Sequence, residues 1–444
     1  MNPKMAHRSE QDRAFFKKLN PFRKRIISGG SVMKRVGFVS TRLAGTDGVT
    51  LETYKWHQVL ERNGYESYFF AGELDTPQER SFLEPKAHFE DPEILEIHSA
   101  CFGTTTRKAS LSARIQGLKD HLKSRLYEFC SRFNIDLLIS ENALAIPMNI
   151  PLGLAITELV AEKGMPTVAH HHDFSWERKR FLINAVQDYL QCSFPPNLRS
   201  IRHVVINSAA SRQLSYRTGI SNVVIPNVFD FASAPPPPNG KLLREELDFK
   251  DDDLFVLQPT RIVPRKWIER AIELISLMRL KRPRLVVSHE SGDEGDLYSQ
   301  RILEYAERLG VELIYIGEKV GSAHCFKARS DRKYCMDDIY QNADLVTYPS
   351  GYEGFGNAFL ESIYFKKPIV VNRYSIFVED IEPCGFEVIP FESFVTQEIV
   401  DRIKLFLVPE NLRRAADNNY KLGKRHFSYE VLEKKLLPLI ESFR

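Results

Sequence analysis

Short apolar runs alternate with amphipathic helical stretches along nearly the whole chain, and no other feature restricts the fold as much. RVGFVST (35–41) runs into RLAGTDGVT, and VTLETYKWHQVLERNG then repeats its apolar residues at helical spacing as far as Gly64, a helix-stopping residue type. Further strand-like runs lie at 65–72, 135–140, 166–172, 201–208 and 222–227, with helical stretches such as 151–164 between most of them. Strands that alternate with helices pair in parallel, and a parallel sheet needs helices over both faces. The pattern halts at ASAPPPPNG, whose prolines continue neither a helix nor a central strand. It resumes with LFVLQPTR (254–261), RLVVSHE, VELIYIG, ADLVTYPS and KPIVVNR. A chain of 444 residues exceeds one hydrophobic core, and two domains of about 200 residues each are expected. The expected fold is therefore α/β, with two Rossmann-like doubly wound domains and a cleft between them.

The expected divisions are a disordered basic extension (1–33), a first domain (34–230), a proline-rich linker (231–241), a second domain (242–420) and a terminal helix (421–444). Residues 75–132 resist reading beyond a helical piece around 112–129 and a GTTTRK loop (103–108) able to shape an acceptor pocket. Residues 1–25 hold eight Lys or Arg against Glu10 and Asp12. With Phe15, Phe16, Phe22, Ile26 and Ile27, this basic segment leaves open a weak peripheral contact with an anionic membrane through residues 1–27. The remaining chain is slightly acidic, which speaks against nucleic-acid binding. No apolar run approaches the roughly 20 residues needed to cross a bilayer, so the expected location is the cytoplasm. The six cysteines form no CxxC pair, so neither a zinc site nor a disulfide framework is expected. His324, Cys325 and Cys335 read as a thiol-bearing loop rather than a metal site.

The richest stretch is YPSGYEGFGNAFLESIYFKKPIVV (348–371). A strand ends near Pro349, a loop with three glycines carries Glu353, a helix opens near Asn357, and Glu361 follows in the helix. With Gly354 and Gly356 bare of side chains, the backbone N–H groups of Phe355, Gly356 and Asn357 can approach an anion at the helix N-terminus, a plausible seat for a diphosphate. Two carboxylates at a phosphate site must then contact hydroxyls: Glu353 on the sugar side, Glu361 on another part of the ligand.

This stretch resembles the Glu-x7-Glu segment of retaining glycosyltransferases of family 4, within the glycosyl transferases group 1, which have the two-domain GT-B fold. The resemblance implies that Glu353 contacts the donor sugar and Glu361 the nucleotide ribose. It implies that Arg261 and Lys266, five positions apart at the strand-to-helix corner, are the basic pair for the diphosphate, so that no metal ion and no cofactor is needed beside the nucleotide-sugar co-substrate. It also implies that Gly48, with Asp47 and Thr46, reaches the diphosphate from the opposite domain, and that His172 contacts donor sugar or acceptor. VIPN (224–227) followed by Asp230 is similar to the segment at which family members pass into their second domain, and the terminal helix is expected to cross back to the first.

Three adjacent histidines (170–172) end one strand, and because side chains alternate along a strand they cannot all converge on a metal. Asp173 is placed to orient an acceptor hydroxyl. Of Arg178, Lys179 and Arg180, one that faces the cleft could bind a phosphate or carboxylate of the acceptor. KDDD (250–253) reads as a turn before a strand, and 318–338 as part of a base pocket.

The expected activity is transfer, with retention, of a hexosyl group from a UDP-, GDP- or ADP-sugar to a hydroxyl of a small molecule, glycan or lipid. HHHDFSWERKRF together with GTDGVT gives a faint likeness to the branch that makes mannosyl- or glucosylglycerate-type solutes. Two readings stay open beside it: a glycoside phosphorylase on the same fold, and a non-catalytic nucleotide-sugar-binding protein.

Overall fold

The computed structural model describes residues 34–235, 242–279, 282–289, 296–321 and 334–443. The basic extension, most of the proline run, His324 and Cys325 lie outside the described residues.

The first sheet contains β1 (Arg35–Val39), β2 (Glu66–Ala71), β3 (Ser81–Leu83), β4 (Leu137–Glu141), β5 (Thr167–His171), β6 (Ile201–Val205) and β7 (Asn222–Val224). All pairs are parallel, in the order β3-β2-β1-β4-β5-β6-β7. β4 and β5 are buried at every position, as a strand covered on both faces must be, which is why LLIS of β4 reads as a nearly continuous apolar run. One face packs on the helices Ala109–Phe133 and Ile150–Lys163 through Leu126, Phe129, Ile156 and Leu159. The other packs on the helix Gly48–Arg62 through Trp56, Val59 and Leu60. Residues 75–132 supply the edge strand β3, the helix Pro92–Cys101 and the 25-residue helix Ala109–Phe133. The GTTTRK loop is tied down by Arg107, which grips Asp188 through both terminal nitrogens at 2.6 and 2.5 Å.

The second sheet contains β8 (Leu254–Gln258), β9 (Pro283–Val287) and β10 (Leu313–Tyr315), then β13 (Leu345–Tyr348), β14 (Ile369–Asn372) and β15 (Ile389–Phe391), ordered β10-β9-β8-β13-β14-β15 and again parallel. A two-residue pair, β11 (Val320–Gly321) with β12 (Tyr334–Cys335), stands apart from it. KDDD forms a turn closed by the Lys250 N–H on Asp253 Oδ2 at 3.0 Å.

The expected terminal helix is two helices. Pro409–Phe427 stops at Ser428, whose backbone is extended (φ −92°, ψ 169°), and Tyr429–Glu441 follows. Leu432, Leu436 and Ile440 of the last helix enter the core of the first sheet beside Trp56. Among the described residues no helix is long and apolar enough to cross a membrane.

In each sheet the strand order reverses at one place, between β1 and β4 and between β8 and β13. The carboxyl ends of strands at such a reversal border a crevice, because the connections leave in opposite directions.

Candidate functional site

The corner after β8 and the glycine loop after β13 lie side by side because these strands are neighbours. β8 leads to the turn Pro264–Lys266, and Trp267, in the left-handed region at φ 49°, redirects the chain into the helix Ile268–Leu277. The Gly351 N–H donates to the Arg265 carbonyl at 2.9 Å, joining the two corners.

Lys266 Nζ donates to Glu353 Oε1, and Arg265 Nη1 to Oε2 at 3.3 Å. Lys266 and Glu353 are only 8% and 7% exposed. Burial alone would lift the Glu353 carboxyl, yet the Lys266 ammonium and the Arg265 guanidinium hold it below the ordinary carboxylate range. Burial lowers the Lys266 ammonium against the pull of Glu353, and Arg265 and Arg261 add repulsion. Two groups expected to face separate parts of a ligand thus form one buried ion pair. Arg261 is exposed and its side chain makes no hydrogen bond or ion pair among the described residues, but its charge reaches Lys266 and His289. Burial, with Lys266 and Arg261 beside it, lowers the His289 imidazole to about 4.

The glycine loop turns its carbonyls toward protein. Gly354 O accepts from Asn207 Nδ2 (2.7 Å), Phe355 O from the Tyr374 hydroxyl (2.7 Å) and Gly356 O from Phe359 N–H (3.0 Å). The N–H groups of Phe355, Gly356 and Asn357 donate to nothing among the described residues, as amides at a helix start do unless capped. Asn227 Nδ2 bonds Asn357 Oδ1 at 2.8 Å from the first domain. Glu361 receives the Tyr340 hydroxyl at 2.8 Å, which fixes its direction within the helix Asn357–Tyr364.

In the first domain, Asp47 caps the helix Gly48–Arg62, accepting from Val49 N–H (3.0 Å) and Thr50 N–H (3.2 Å), and it also takes the Thr50 hydroxyl (2.8 Å) and Arg42 (3.3 Å). Its carboxylate therefore serves the helix start, an N-cap role. Gly48 is exposed with open space where a side chain would point. A cavity of about 140 Å³ at the carboxyl ends of β1 and β4 is bordered by Arg42, Asp47, Phe89, Asn142 and Met148.

The histidines at the end of β5 divide by strand alternation. His171 turns to His203, Nε2 to Nδ1 at 3.0 Å. His170 Nδ1 and His172 Nε2 share Glu141 Oε2, at 2.8 and 3.4 Å. One ligand atom from each of Glu141, His170 and His172 lies within 4.8 Å of the others, close enough to hold a metal ion; of the three adjacent histidines only the two that share a face converge. Burial works against charge on His172, but the bond to Glu141 and its charge outweigh it and raise the imidazole above its ordinary value. Burial dominates at His170 and lowers it.

Asp173 is 8% exposed and receives Asn142 Nδ2 at 2.8 Å on Oδ1 and Arg178 Nε at 2.7 Å on Oδ2. The two domains meet here: a Cβ on Gly354 would stand 3.5 Å from the His172 carbonyl oxygen. Arg265, Glu141 and His289 escaped the sequence reading. Glu141 closes β4, His289 lies two residues beyond β9, and Arg265 precedes Lys266.

Residues 240–422 match the family model described as Glycosyl transferases group 1. The mannosylglucosylglycerate synthase of Thermotoga maritima is 32% identical over 91% of this chain and 100% of its own length. The chain belongs to the glycosyl transferases group 1 family. A second mannosylglucosylglycerate synthase, from Petrotoga mobilis, is 30% identical over 90% of this chain and 99% of its own. Among solved structures, a glycosyltransferase from Rickettsia africae superposes with a TM-score of 0.66 at 13% identity, over 93% of this chain and 99% of that one. HepE of Anabaena, solved with UDP and glucose, gives 0.62 at 14%, over 92% and 100%. This group 1 transferase therefore has the GT-B fold, two parallel-sheet α/β domains, and transfers glycosyl groups.

Proposed function

We propose that this transferase moves a hexosyl group, mannosyl by likeness to its relatives, from a nucleoside-diphosphate sugar to a hydroxyl of glucosylglycerate or a similar sugar acid, with retention and without a metal ion. The observation that carries the reading is the Lys266–Glu353 pair set beside the amides of Phe355, Gly356 and Asn357. Fixed cations and amides aimed at one spot stabilise charge that develops on a leaving diphosphate. Arg261, Arg265 and Lys266 supply the positive charge, and Glu353, held ionised, orients a sugar hydroxyl. His172 adds a donor from the first domain, and Glu361, aimed by Tyr340, suits a ribose.

In the proposed step the acceptor oxygen bonds the anomeric carbon as the bond to the β-phosphate oxygen breaks. That oxygen keeps the electron pair and takes the acceptor's proton. Closure of the two domains keeps water from the sugar. The test incubates the purified protein with UDP-, GDP- and ADP-hexoses and glucosylglycerate, with and without EDTA, and determines the product's anomeric configuration by NMR. Turnover that survives EDTA and gives an axial glycoside from an axial donor is expected. An inverted product removes the retaining step, and release of sugar phosphate from a glycoside with free phosphate favours a phosphorylase. The Tyr340–Glu361 bond, a feature suited to a ribose, speaks against that alternative.

A further inference from the structure

We propose that Arg178, aimed by Asp173 and Asn142, binds the carboxylate of the acceptor and so selects sugar acids over neutral sugars. The inference rests on the functional reading above and names the group that recognises its acceptor.

Arg178 follows the end of β5, on the first domain's side of the cleft. Asp173 holds it, and Asn142 in turn holds Asp173. Asn142, in the left-handed region at φ 59°, accepts the His172 N–H at 3.0 Å with its side-chain oxygen and donates to Asp173 Oδ1 at 2.8 Å with its amide nitrogen. Asp173 Oδ2 then takes Arg178 Nε at 2.7 Å and Nη2 at 2.5 Å. Nη1 makes no hydrogen bond among the described residues, and the side chain remains 41% exposed.

An ion pair with a partly exposed partner contributes roughly 0–1 kcal/mol, while burying Asp173 costs desolvation, so stability does not account for this assembly. Its effect is to fix one guanidinium in direction. It stands close to the second domain: Arg178, Asp173 and Glu177 all lie within electrostatic reach of the Tyr352 phenol, as does Arg265. Tyr352 is 41% exposed and directly precedes Glu353. The guanidinium therefore lies near the second-domain loop that carries the proposed donor-sugar carboxylate, Glu353. Glu177 turns one carboxylate oxygen to the backbone, its Oε2 accepting the Phe174 N–H at 2.8 Å. Arg180 is directed elsewhere, with Nη2 2.8 Å from the Met148 sulfur. A planar guanidinium with free N–H groups suits a carboxylate better than a hydroxyl.

The test compares glucosylglycerate with its glycerate amide, identical in shape and uncharged, as acceptors for wild type, Arg178→Gln, Arg178→Lys and Asp173→Asn, each checked for folding by its melting curve. Losing one charge-assisted contact is expected to raise the KM for the acid by about 10- to 100-fold. The preference for acid over amide then collapses toward unity in Arg178→Gln. Arg178→Lys, which keeps the charge but not the fork, and Asp173→Asn, which frees the guanidinium, retain part of it. An unchanged preference in Arg178→Gln, or a rise in donor KM in its place, overturns the inference while leaving the transferase reading intact. Absence of turnover with any sugar acid in the wild type removes that acceptor assignment and this inference with it.

Discussion

Lys266 and Glu353, 87 positions apart in the chain, close on each other as a buried ion pair where β8 and β13 run side by side. Breaking such a pair from one side leaves a buried charge uncompensated, at about 3–5 kcal/mol. Lys266→Ala is expected to melt well below wild type and to lose at least two orders of magnitude in turnover, as removal of one charge-stabilising donor does. Lys266→Met with Glu353→Gln recovers much of the stability and none of the turnover. Arg261→Ala makes the contrast: an exposed side chain without a partner shifts stability by no more than about 0.5 kcal/mol, yet it is expected to cost a similar factor in turnover. Melting curves and nucleotide release measure both, and near-normal turnover in Lys266→Ala and Arg261→Ala would remove the leaving-group assignment.

Gly356 carries a second, independent constraint. Its φ is 133°, a conformation that L side chains rarely adopt, and a Cβ would meet the Tyr374 hydroxyl at 2.5 Å. Gly356→Ala is therefore expected to lose about 1–3 kcal/mol of stability and to raise donor KM, since the amides beside it shift. Tyr374→Phe removes the clashing oxygen but leaves the backbone strain, and it forfeits the hydroxyl's bond to Phe355 O. The double variant should recover stability only in part. Recovery to the wild-type melting temperature would mean that the clash alone was responsible.

Much of this is legible in the chain itself, and what is not has physical causes. The alternation of strands and helices locates both sheets, because parallel strands buried on both faces leave continuous apolar runs such as LLIS. The glycine loop and Glu353 can be read because glycine at a strand-to-helix corner has few other uses. The pairing of Lys266 with Glu353 stays hidden, since it depends on strand order in the sheet, which spacing along the chain does not encode. Its place beside Gly48 points Asp47 to the ligand, whereas an aspartate immediately before a helix serves first as its cap. Strand alternation, taken over all three histidines, argues against a shared ligand, although the same alternation places His170 and His172 on one face, with Glu141 between them.

The opposite face of that run carries a pH dependence. His171 and His203 are 1% and 4% exposed and bond to each other at 3.0 Å. Burial lowers both imidazoles, that of His203 to about 4. Above the ordinary value near 6.5 both states are neutral and nothing is lost. As pH falls below it, the unfolded chain binds protons that the folded chain refuses, so stability declines down to the folded value, by about 3 kcal/mol for His203. His172 has the opposite sign: its raised value contributes stability at low pH that is lost as pH rises through the folded value. The difference between wild type and His203→Phe isolates the first effect. The variant is less stable at pH 7, because His171 loses its partner, but its decline between pH 6.5 and 4 is shallower in denaturant titrations. Equal slopes would show that His203 takes no part in the acid limb.

The start of the helix Ser208–Thr218 couples the two domains. Asp380, in the second domain, accepts the Ser208 N–H at 2.9 Å and also takes the Ser208 hydroxyl, while Asn207 caps the same helix at Ala210 N–H (2.7 Å) and reaches Gly354 O. A carboxylate at a helix N-terminus gains from both the unpaired amides and the dipole. Through Asn207 this contact also sets where the glycine loop stands relative to His172. Asp380→Ala is expected to leave each domain folded, raise donor KM by about 10-fold, the equivalent of roughly 1.4 kcal/mol, and speed hydrogen exchange at residues 208–211. One turn along, Arg212 and Glu379 pair at 2.6 Å with side chains 50% and 36% exposed, a surface pair of small value. Arg212→Ala should therefore leave donor KM within about twofold. Equal effects from the two substitutions would mean that general electrostatics between the domains, and not the anchored helix start, hold the glycine loop in register.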